Sequence, residues 1–189
     1  MENGEESYRR FLNGDESGFE DVVKLYRSSL ELFINRYVNN IYVAQDLAVD
    51  TFVYLITHSK KYNFSTPLKT YLFMIGRCRA LDYIRHKNRI RVESVEALGE
   101  EKENMLSDTE NLENRYIASE QRKTLYKALK KLPQDMQVAV WLVFFEELSY
   151  ESAAKVMKKN KKQVDNLLYR AKKELKDILK KEGIDSYDA

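Results

Sequence analysis

The stretch SYESAAKVMKKNKKQVDNLLYRAKKELKDIL, residues 149–179, constrains the fold of this chain more than any other. Its spacing predicts a short helix over Tyr150–Met157, a tight turn over Lys158–Lys161 and a longer helix from Lys162, with Asn160 as N-cap. Apolar residues recur on one side of the longer helix, where they can pack on neighbouring helices: Val164, Leu168, Ala171 and Leu175. This arrangement predicts a helix-turn-helix.

The opposite side of the longer helix carries Gln163, Asn166 and Arg170. Gln and Asn can make two hydrogen bonds to the edge of adenine, and Arg can do so to guanine. The pattern therefore favours a helix that reads base pairs in the major groove. The lysines that flank this face are expected to contact phosphates: Lys161, Lys162 and Lys173. An ordinary helical hairpin with a solvated basic face is the alternative.

Charge is distributed along the chain in blocks. Residues 58–91 carry nine basic side chains and one acidic one, and residues 155–181 carry 11 and three. Residues 92–114, which lie between them, carry one basic and eight acidic side chains. Two basic blocks, one of them on the predicted reading helix, suggest two separate contacts with nucleic-acid phosphates.

Composition excludes several other classes of protein. The single cysteine, Cys78, cannot form an internal disulfide, and with only two histidines there is no zinc constellation. No apolar run approaches the roughly 20 residues of a membrane span, and the first residues lack the features of a signal or transit peptide. No catalytic arrangement or phosphate-binding glycine loop is present. We therefore expect a soluble, cytoplasmic protein that is not an enzyme, with no cofactor, no metal and no membrane insertion.

The first half of the chain predicts further helices. Asp15 is the expected N-cap of an amphipathic helix that ends near Val38. The next helix, Val43–Thr57, is nearly free of Lys and Arg, so it suits a protein partner better than a phosphate backbone. Thr66 followed by Pro67 predicts the start of a third helix, which continues to about Lys87.

The loop before that third helix places Tyr62 and Phe64 among lysines such as Lys61 and Lys69. Aromatic rings interleaved with cations suit an unstacked base, because the ring offers a platform and the charges attract the backbone. Alternatively, Tyr62 and Phe64 are anchors of the hydrophobic core, which is the more common role for either residue alone.

Residues 92–114 are predicted to form a flexible linker, because apolar residues are scattered among many acids. Duplex DNA would repel this segment. It either lies in a basic channel of a partner, where nucleic acid would otherwise lie, or serves only solubility. The fold class is therefore all-α, with two small helical domains joined by a flexible acidic linker and a helix-turn-helix in the second domain.

Several motifs resemble those of RNA polymerase sigma factors. AQDLAVDTF (44–52) and TYLFMIGRCRALDYIR (70–85) are similar to two domain 2 motifs, and KYNFST (61–66) to a strand-opening segment. Residues 132–175 follow the domain 4 pattern without a gap. In this order, the motifs resemble sigma-70 family members of the extracytoplasmic-function (ECF) type, which retain only domains 2 and 4.

The resemblance implies a role for each part of the chain. Residues 1–91 would be domain 2, 92–114 the linker and 115–189 domain 4. Domain 2 would bind the clamp of core RNA polymerase through Gln45, Asp46, Val49 and Asp50. Its loop and following helix would capture and hold the melted −10 element of promoter DNA through Lys61, Tyr62, Phe64, Ser65, Thr66, Lys69, Tyr71, Arg77 and Arg85. Domain 4 would contact the polymerase flap and read the −35 element through Lys161, Lys162, Gln163, Asn166, Arg170 and Lys173.

The resemblance also implies an anti-sigma factor as a partner and a monomer when the protein is free. Several positions depart from the family pattern: Tyr71 stands where Trp is usual, Cys78 replaces Asn, and Ser152 and Ala153 replace Glu and Ile. Glu147 and Lys158 occupy turn positions where Gly is common. If those turns are left-handed, each costs roughly 1 kcal/mol. Two other classes remain open, a stand-alone helix-turn-helix regulator and a sigma-like decoy that binds polymerase or an anti-sigma protein without recognising promoters.

Overall fold

The structure is a computed structural model that describes residues 4–95 and 120–181. Within these ranges all regular secondary structure is helical, which confirms the predicted all-α class. The described residues form two compact units, one before residue 96 and one after residue 119. The predicted acidic linker lies outside the described residues from position 96 onward. None of the described helices has the length and apolar character needed to cross a membrane.

The first unit contains four helices and one short 3-10 turn. Helix α1 spans Gly4–Leu12, α2 spans Glu16–Val38 and α3 spans Ile41–Thr57. The 3-10 turn covers Ser59–Lys61, and α4 spans Leu68–Val95. Helix α2 packs against the other three, so it forms the centre of this unit.

Side-chain caps determine where α2 and α3 begin. Asp15 caps α2 as predicted, because its carboxylate accepts a hydrogen bond of 3.1 Å from the Ser17 N–H. Asn40 caps α3 by accepting from the Val43 N–H at 3.2 Å, so α3 begins two residues earlier than predicted. Arg10 of α1 also bonds Asp15, at 2.9 Å, which joins α1 to the start of α2.

The core of the first unit is aromatic where α2 meets α4. Phe33 and Phe73 are fully buried, with ring centres 4.8 Å apart. Gly76 allows α4 to lie close to α2, since a Cβ at that position would be 2.9 Å from Leu30 Cδ1. This contact fixes the position of α4, which carries much of the first basic block.

The start and the end of α4 both differ from the prediction. Pro67, expected as the first helical residue, stands at the N-cap position, and its carbonyl accepts the Tyr71 N–H at 3.0 Å. The Leu68 N–H donates to Glu5 Oε1 at 3.3 Å, so α1 supplies a cap that is 63 positions away in sequence. Helix α4 continues past Lys87 to Val95, so the first four residues assigned to the linker are helical.

The second unit is the predicted helix-turn-helix with two helices before it. Helix α5 spans Glu120–Lys130, and α6 spans Gln134–Val140 and continues as a π-helical segment over Trp141–Phe145. Helix α7 spans Tyr150–Met157 as predicted, and α8 spans Lys161–Lys181, one residue earlier than predicted. Helix α8 packs against α5, α6 and α7.

Two non-glycine residues of this unit have left-handed backbone. They are the two turn positions at which the resembling family commonly has Gly. Glu147 has φ 55° and Lys158 has φ 52°. At Lys158 the conformation ends α7, because it directs the Lys159 N–H back to the Ala154 carbonyl at 3.0 Å. Side chains with a Cβ are disfavoured in this region, so both positions carry strain.

Glu147→Gly and Lys158→Gly should each raise the free energy of unfolding by up to about 1 kcal/mol, because glycine adopts left-handed backbone without the Cβ clash. Urea unfolding of the full chain would measure the change as a higher midpoint with an unchanged slope. Lys172→Gly, in the interior of α8, is the matched control and should lower stability by roughly 1 kcal/mol. A lower midpoint for Glu147→Gly or Lys158→Gly would contradict the inference that the backbone at that position is strained.

Candidate nucleic-acid interface

The apolar side of α8 is buried and its polar side is exposed. Val164 and Ala171 are fully buried, and Leu168 is nearly so; Leu175 is half-buried. Ala153 and Ala154 of α7 are also buried, and their small side chains allow α7 to approach α8 closely. The predicted contact residues on the other side are all exposed: Lys161, Lys162, Gln163, Asn166, Arg170 and Lys173.

Gln163 is held at the start of α8 by a reciprocal pair of hydrogen bonds. The Gln163 N–H donates to Asn160 Oδ1 at 2.8 Å, and the Asn160 N–H donates to Gln163 Oε1 at 2.9 Å. This is a capping box, and it confirms Asn160 as the N-cap. It also engages one lone pair of the oxygen that Gln163 would use to accept from adenine, so two-bond readout by Gln163 must share that oxygen with the capping box.

Lys161 is bound to a carboxylate of the preceding helix. Its Nζ lies 2.5 Å from Glu151 Oε1. The hydrogen bond from Lys161 holds the pKa of the Glu151 carboxyl below its usual value, and the same bond raises the pKa of Lys161. A phosphate would therefore compete with Glu151 for Lys161, whereas no carboxylate contacts Lys162 within the described residues.

One further side chain on this face has the exposure of a contact residue. Tyr169 is 75% exposed and lies one turn beyond Asn166, on the same side as Lys162 and Lys173. Sequence reasoning missed it because only hydrogen-bonding and charged types were sought there. The spacing of three residues from Asn166 would have placed it on the reading face.

The first unit holds the loop between α3 and α4 with a cluster of aromatic rings. Tyr62 is only 5% exposed, its hydroxyl donates to the Thr66 carbonyl at 2.9 Å, and its ring stacks on Tyr71 at 4.9 Å. Burial raises the pKa of Tyr62 well above its usual range. The ring of Tyr62 is therefore part of the core in this structure, which is the alternative role considered for it.

Phe64 is half-buried and has left-handed backbone, with φ 61°. Its ring lies 4.6 Å from that of Tyr62, and the guanidinium carbon of Arg9 lies 3.9 Å from its centre. Helix α1 thus covers one face of the ring that was expected to receive a base. A base could stack on that face only after the Arg9 side chain had moved away.

The polar residues of the loop are more open to solvent. Asn63 Oδ1 accepts from the Ser65 N–H at 3.1 Å, a local turn that leaves the Ser65 side chain exposed. Thr66 and Lys69 are half-buried, and Lys69 Nζ lies 5.9 Å from the ring centre of Phe73. This part of the loop can be reached by nucleic acid without rearrangement of the core.

The predicted phosphate ligands on α4 differ in their environments. Arg85 is exposed and bonds Asp82 at 2.7 Å, so a phosphate would have to displace a carboxylate there. Arg77 is half-buried. Arg79, which the prediction did not assign to a site, is directed toward Tyr54 of α3, with its guanidinium carbon 5.2 Å from the ring centre.

Helix α3 presents the predicted partner surface. Asp46, Val49 and Asp50 are exposed, and Gln45 is half-buried. Sequence reasoning missed three further exposed apolar residues of the same helix, Tyr42, Val53 and Ile56. Together with Val49 they are spaced by seven, four and three residues, so they share one side of α3. This periodicity was present in the sequence, and it indicates an apolar docking surface bordered by acids.

Two family models match the chain. Residues 22–90 match Sigma-70 region 2, and residues 122–175 match Sigma-70, region 4. The first range contains α3, the aromatic loop and most of α4, and the second contains α7 and the first 15 residues of α8. Helix α1 lies outside both matched ranges.

The chain is also similar to characterised relatives over most of its length. It is 25% identical to the RNA polymerase sigma-H factor of Pseudomonas aeruginosa, across 95% of each chain. It is 24% identical to the ECF RNA polymerase sigma factor SigM of Bacillus subtilis, across 84% of this chain and 93% of that one. With the ECF RNA polymerase sigma-E factor of Haemophilus influenzae the identity is 26%, across 78% and 80%.

Solved structures share the fold. The sigma factor RpoE of Bartonella quintana, in complex with the anti-sigma factor NepR, matches with a TM-score of 0.65 and 23% identity, across 86% of this chain and 96% of that one. CnrH, in complex with the cytosolic domain of CnrY, matches with a TM-score of 0.64 and 19% identity, across 92% and 95%. The likeness supports the helical architecture described above.

Removing the carboxylate that binds Lys161 should strengthen DNA binding. Glu151→Gln is expected to free Lys161 for a phosphate, to tighten promoter binding by the polymerase complex on all −35 sequences alike, and to steepen its salt dependence by about 0.9. Fluorescence anisotropy over a salt series would measure both effects. Glu20→Gln removes an exposed carboxylate from the first unit and serves as control. An unchanged salt slope for Glu151→Gln would mean that Lys161 does not reach phosphate.

Proposed function

The chain belongs to the sigma-70 family, in its ECF group, and we propose how its parts divide the work of promoter recognition. It is a sigma factor, which binds core RNA polymerase and directs promoter-specific initiation of transcription. The clamp and the flap are the proposed polymerase sites. The proposal extends to a non-enzymatic role in the cytoplasm, where the polymerase acts, and to a free protein that is a monomer.

Helix α8 reads the −35 element in this proposal. The observation that carries it is the row of exposed polar side chains directly opposite the buried stripe of Val164, Leu168 and Ala171. Asn166 and Arg170 have no hydrogen bond from the side chain to another described residue, so they can meet base edges without losing one.

We propose a different role for Gln163, because its side-chain oxygen already accepts a hydrogen bond from the Asn160 N–H in the capping box. It contributes mainly by fixing the start of α8, so its contact with DNA uses only the amide N–H groups. Lys162 and Lys173 flank the row on its exposed side and bind phosphates, which position the helix but carry no sequence information.

The aromatic loop and α4 engage the −10 element. Extruding a base costs a few kcal/mol, which stacking and phosphate contacts must offset. Phe64 supplies the ring for stacking once Arg9 has moved, and Ser65 and Thr66 supply polar groups beside it. Tyr62 and Tyr71 support that ring from the core.

Helix α3 docks on the polymerase clamp. Its exposed side combines Val49 and neighbouring apolar residues with Asp46 and Asp50, and it carries no Lys or Arg. An apolar centre with a charged rim is the anatomy of a protein interface. An anti-sigma factor is a second proposed partner, because RpoE, which shares the fold, is in complex with the anti-sigma factor NepR. The acidic linker is proposed to lie in a basic channel of the polymerase.

In vitro transcription with core polymerase and a promoter library tests this function. The complex should bind and melt a subset of promoters that share −35 and −10 elements, while the free protein binds the same duplexes weakly, because each basic block is small. Permanganate footprinting measures the melting, and a gel shift measures binding by the free protein. Nanomolar, sequence-specific binding by the free protein would instead support a stand-alone regulator.

Arg170→Ala and Lys162→Ala should have different effects. Arg170→Ala should cost about 1–3 kcal/mol on the preferred −35 element and relax selectivity at one position. Lys162→Ala should weaken all sites about equally and lower the salt slope by about one unit. Binding of the holoenzyme to a set of single-base −35 variants separates the two. A uniform loss for Arg170→Ala would show that Arg170 binds phosphate and that the reading face is rotated.

A further inference from the structure

Helix α1 is bonded to the chain on both sides of the aromatic loop. Glu5 Oε1 accepts from the Leu68 N–H at 3.3 Å, directly after the loop. The Tyr8 hydroxyl donates to the Leu55 carbonyl at 3.1 Å, near the end of the helix that precedes the loop. Glu5 and Tyr8 are three residues apart, so they lie on the same side of α1. One side of one helix thus holds both ends of the loop.

Arg9 lies on that side of α1 too, four residues after Glu5, and it covers the ring of Phe64. Its guanidinium carbon is 3.9 Å from the ring centre. The rings of Tyr62 and Tyr8 have their centres 4.6 Å and 6.4 Å from that of Phe64. Helix α1 therefore contributes both the cation and one of the two tyrosines around this ring. A base stacked on the covered face would occupy the space that the guanidinium fills.

Helix α1 is firmly anchored, whereas the Arg9 side chain is held only by the ring. Burial raises the pKa of Tyr8 to about 12, so its hydroxyl remains a hydrogen-bond donor at neutral pH. Arg10 bonds Asp15 at 2.9 Å and Asp21 at 3.1 Å, which attaches α1 to α2. The exposed side chain of Arg9 forms neither an ion pair nor a hydrogen bond with a residue in the described ranges. It can therefore leave the ring without moving the helix, at the cost of one cation–π contact.

We propose that α1 is an autoinhibitory element, which keeps Arg9 on Phe64 so that an unstacked base must compete with the guanidinium for the ring. This inference rests on the proposed capture of a −10 base by Phe64 and adds a control that the capture does not include. The contact disfavours single strands that approach the loop with few other contacts. A promoter strand that the holoenzyme also holds elsewhere overcomes it. The control comes from a segment outside the region 2 match, which begins at residue 22.

Binding of the holoenzyme to a fork-junction probe, whose −10 non-template strand is single-stranded, tests this competition. Each protein is measured with the intact probe and with probes that carry an abasic site at one −10 position in turn. The position at which the abasic site weakens binding most identifies the captured base. The ratio of intact to abasic affinity isolates base capture, because a change in protein charge affects both probes alike.

Arg9→Ala should raise that ratio about 2–5-fold, because the base no longer displaces a cation from the ring. Arg9→Lys should raise it less, since an ammonium group is still attracted to the ring. Lys24→Ala removes an exposed cation of α2 and should leave the ratio unchanged. In a Phe64→Leu background, which lacks the aromatic ring, Arg9→Ala should no longer change the ratio.

The results separate the autoinhibition from the proposed function beneath it. An unchanged ratio for Arg9→Ala overturns the autoinhibition, and so does a lower ratio, since Arg9 would then stabilise the captured base. If no abasic site weakens binding by the parent holoenzyme, or if Phe64→Leu leaves the ratio unchanged, the capture of a base by Phe64 is refuted, and the autoinhibition with it. The first pair of results leaves base capture by the loop intact, so the two failures are distinguishable.

Discussion

Burial of one side of α8 is the constraint on which the second unit depends. Val164, Leu168 and Ala171 must face α5, α6 and α7, because leaving them in water would cost roughly 25 cal/mol for each Å² of apolar surface. Successive helical residues are turned by about 100°, so this burial also determines which residues face outward. The orientation of Asn166 and Arg170 is therefore a consequence of the core. The base reading proposed for these two side chains needs no further structural feature to orient them.

Sequence prediction was most accurate for features that depend on residues close together in the chain. The N-caps Asp15 and Asn160, the bounds of α7 and the buried stripe of α8 all depend on residues within one or two turns of each other, and sequence displays such relations directly. The same rules failed where a distant residue competes. Thr66 and Pro67 were expected to supply the start of α4, but the Leu68 N–H there donates to Glu5 of α1. No local pattern identifies Glu5, which is 63 positions away.

For the predicted contact residues too, the sequence showed which side chains are exposed but not which distant residues they would bond. Residue type and helical phase placed all six side chains of α8 on the exposed side, but the partners of Gln163 and Lys161 were not foreseen. The capping box could have been read from the sequence, because Asn160 and Gln163 have the required spacing. The ion pair with Glu151 could not, since it depends on how α7 and α8 cross. Arg79 likewise acquires its neighbours only through packing of α4 against α3.

Helix α1 controls access to the aromatic loop of the first unit, because it carries Arg9. Arg9 covers Phe64 at 3.9 Å, a separation that leaves no room for a base between them. The cation–π contact is worth about 0.5–1 kcal/mol at an exposed site, which is less than the roughly 1–3 kcal/mol that a stacked base contributes. A base can therefore displace Arg9, at a cost that lowers its affinity by a factor of about 2–5. In the proposed capture of a −10 base, the guanidinium shields one face of the ring from water until the base arrives.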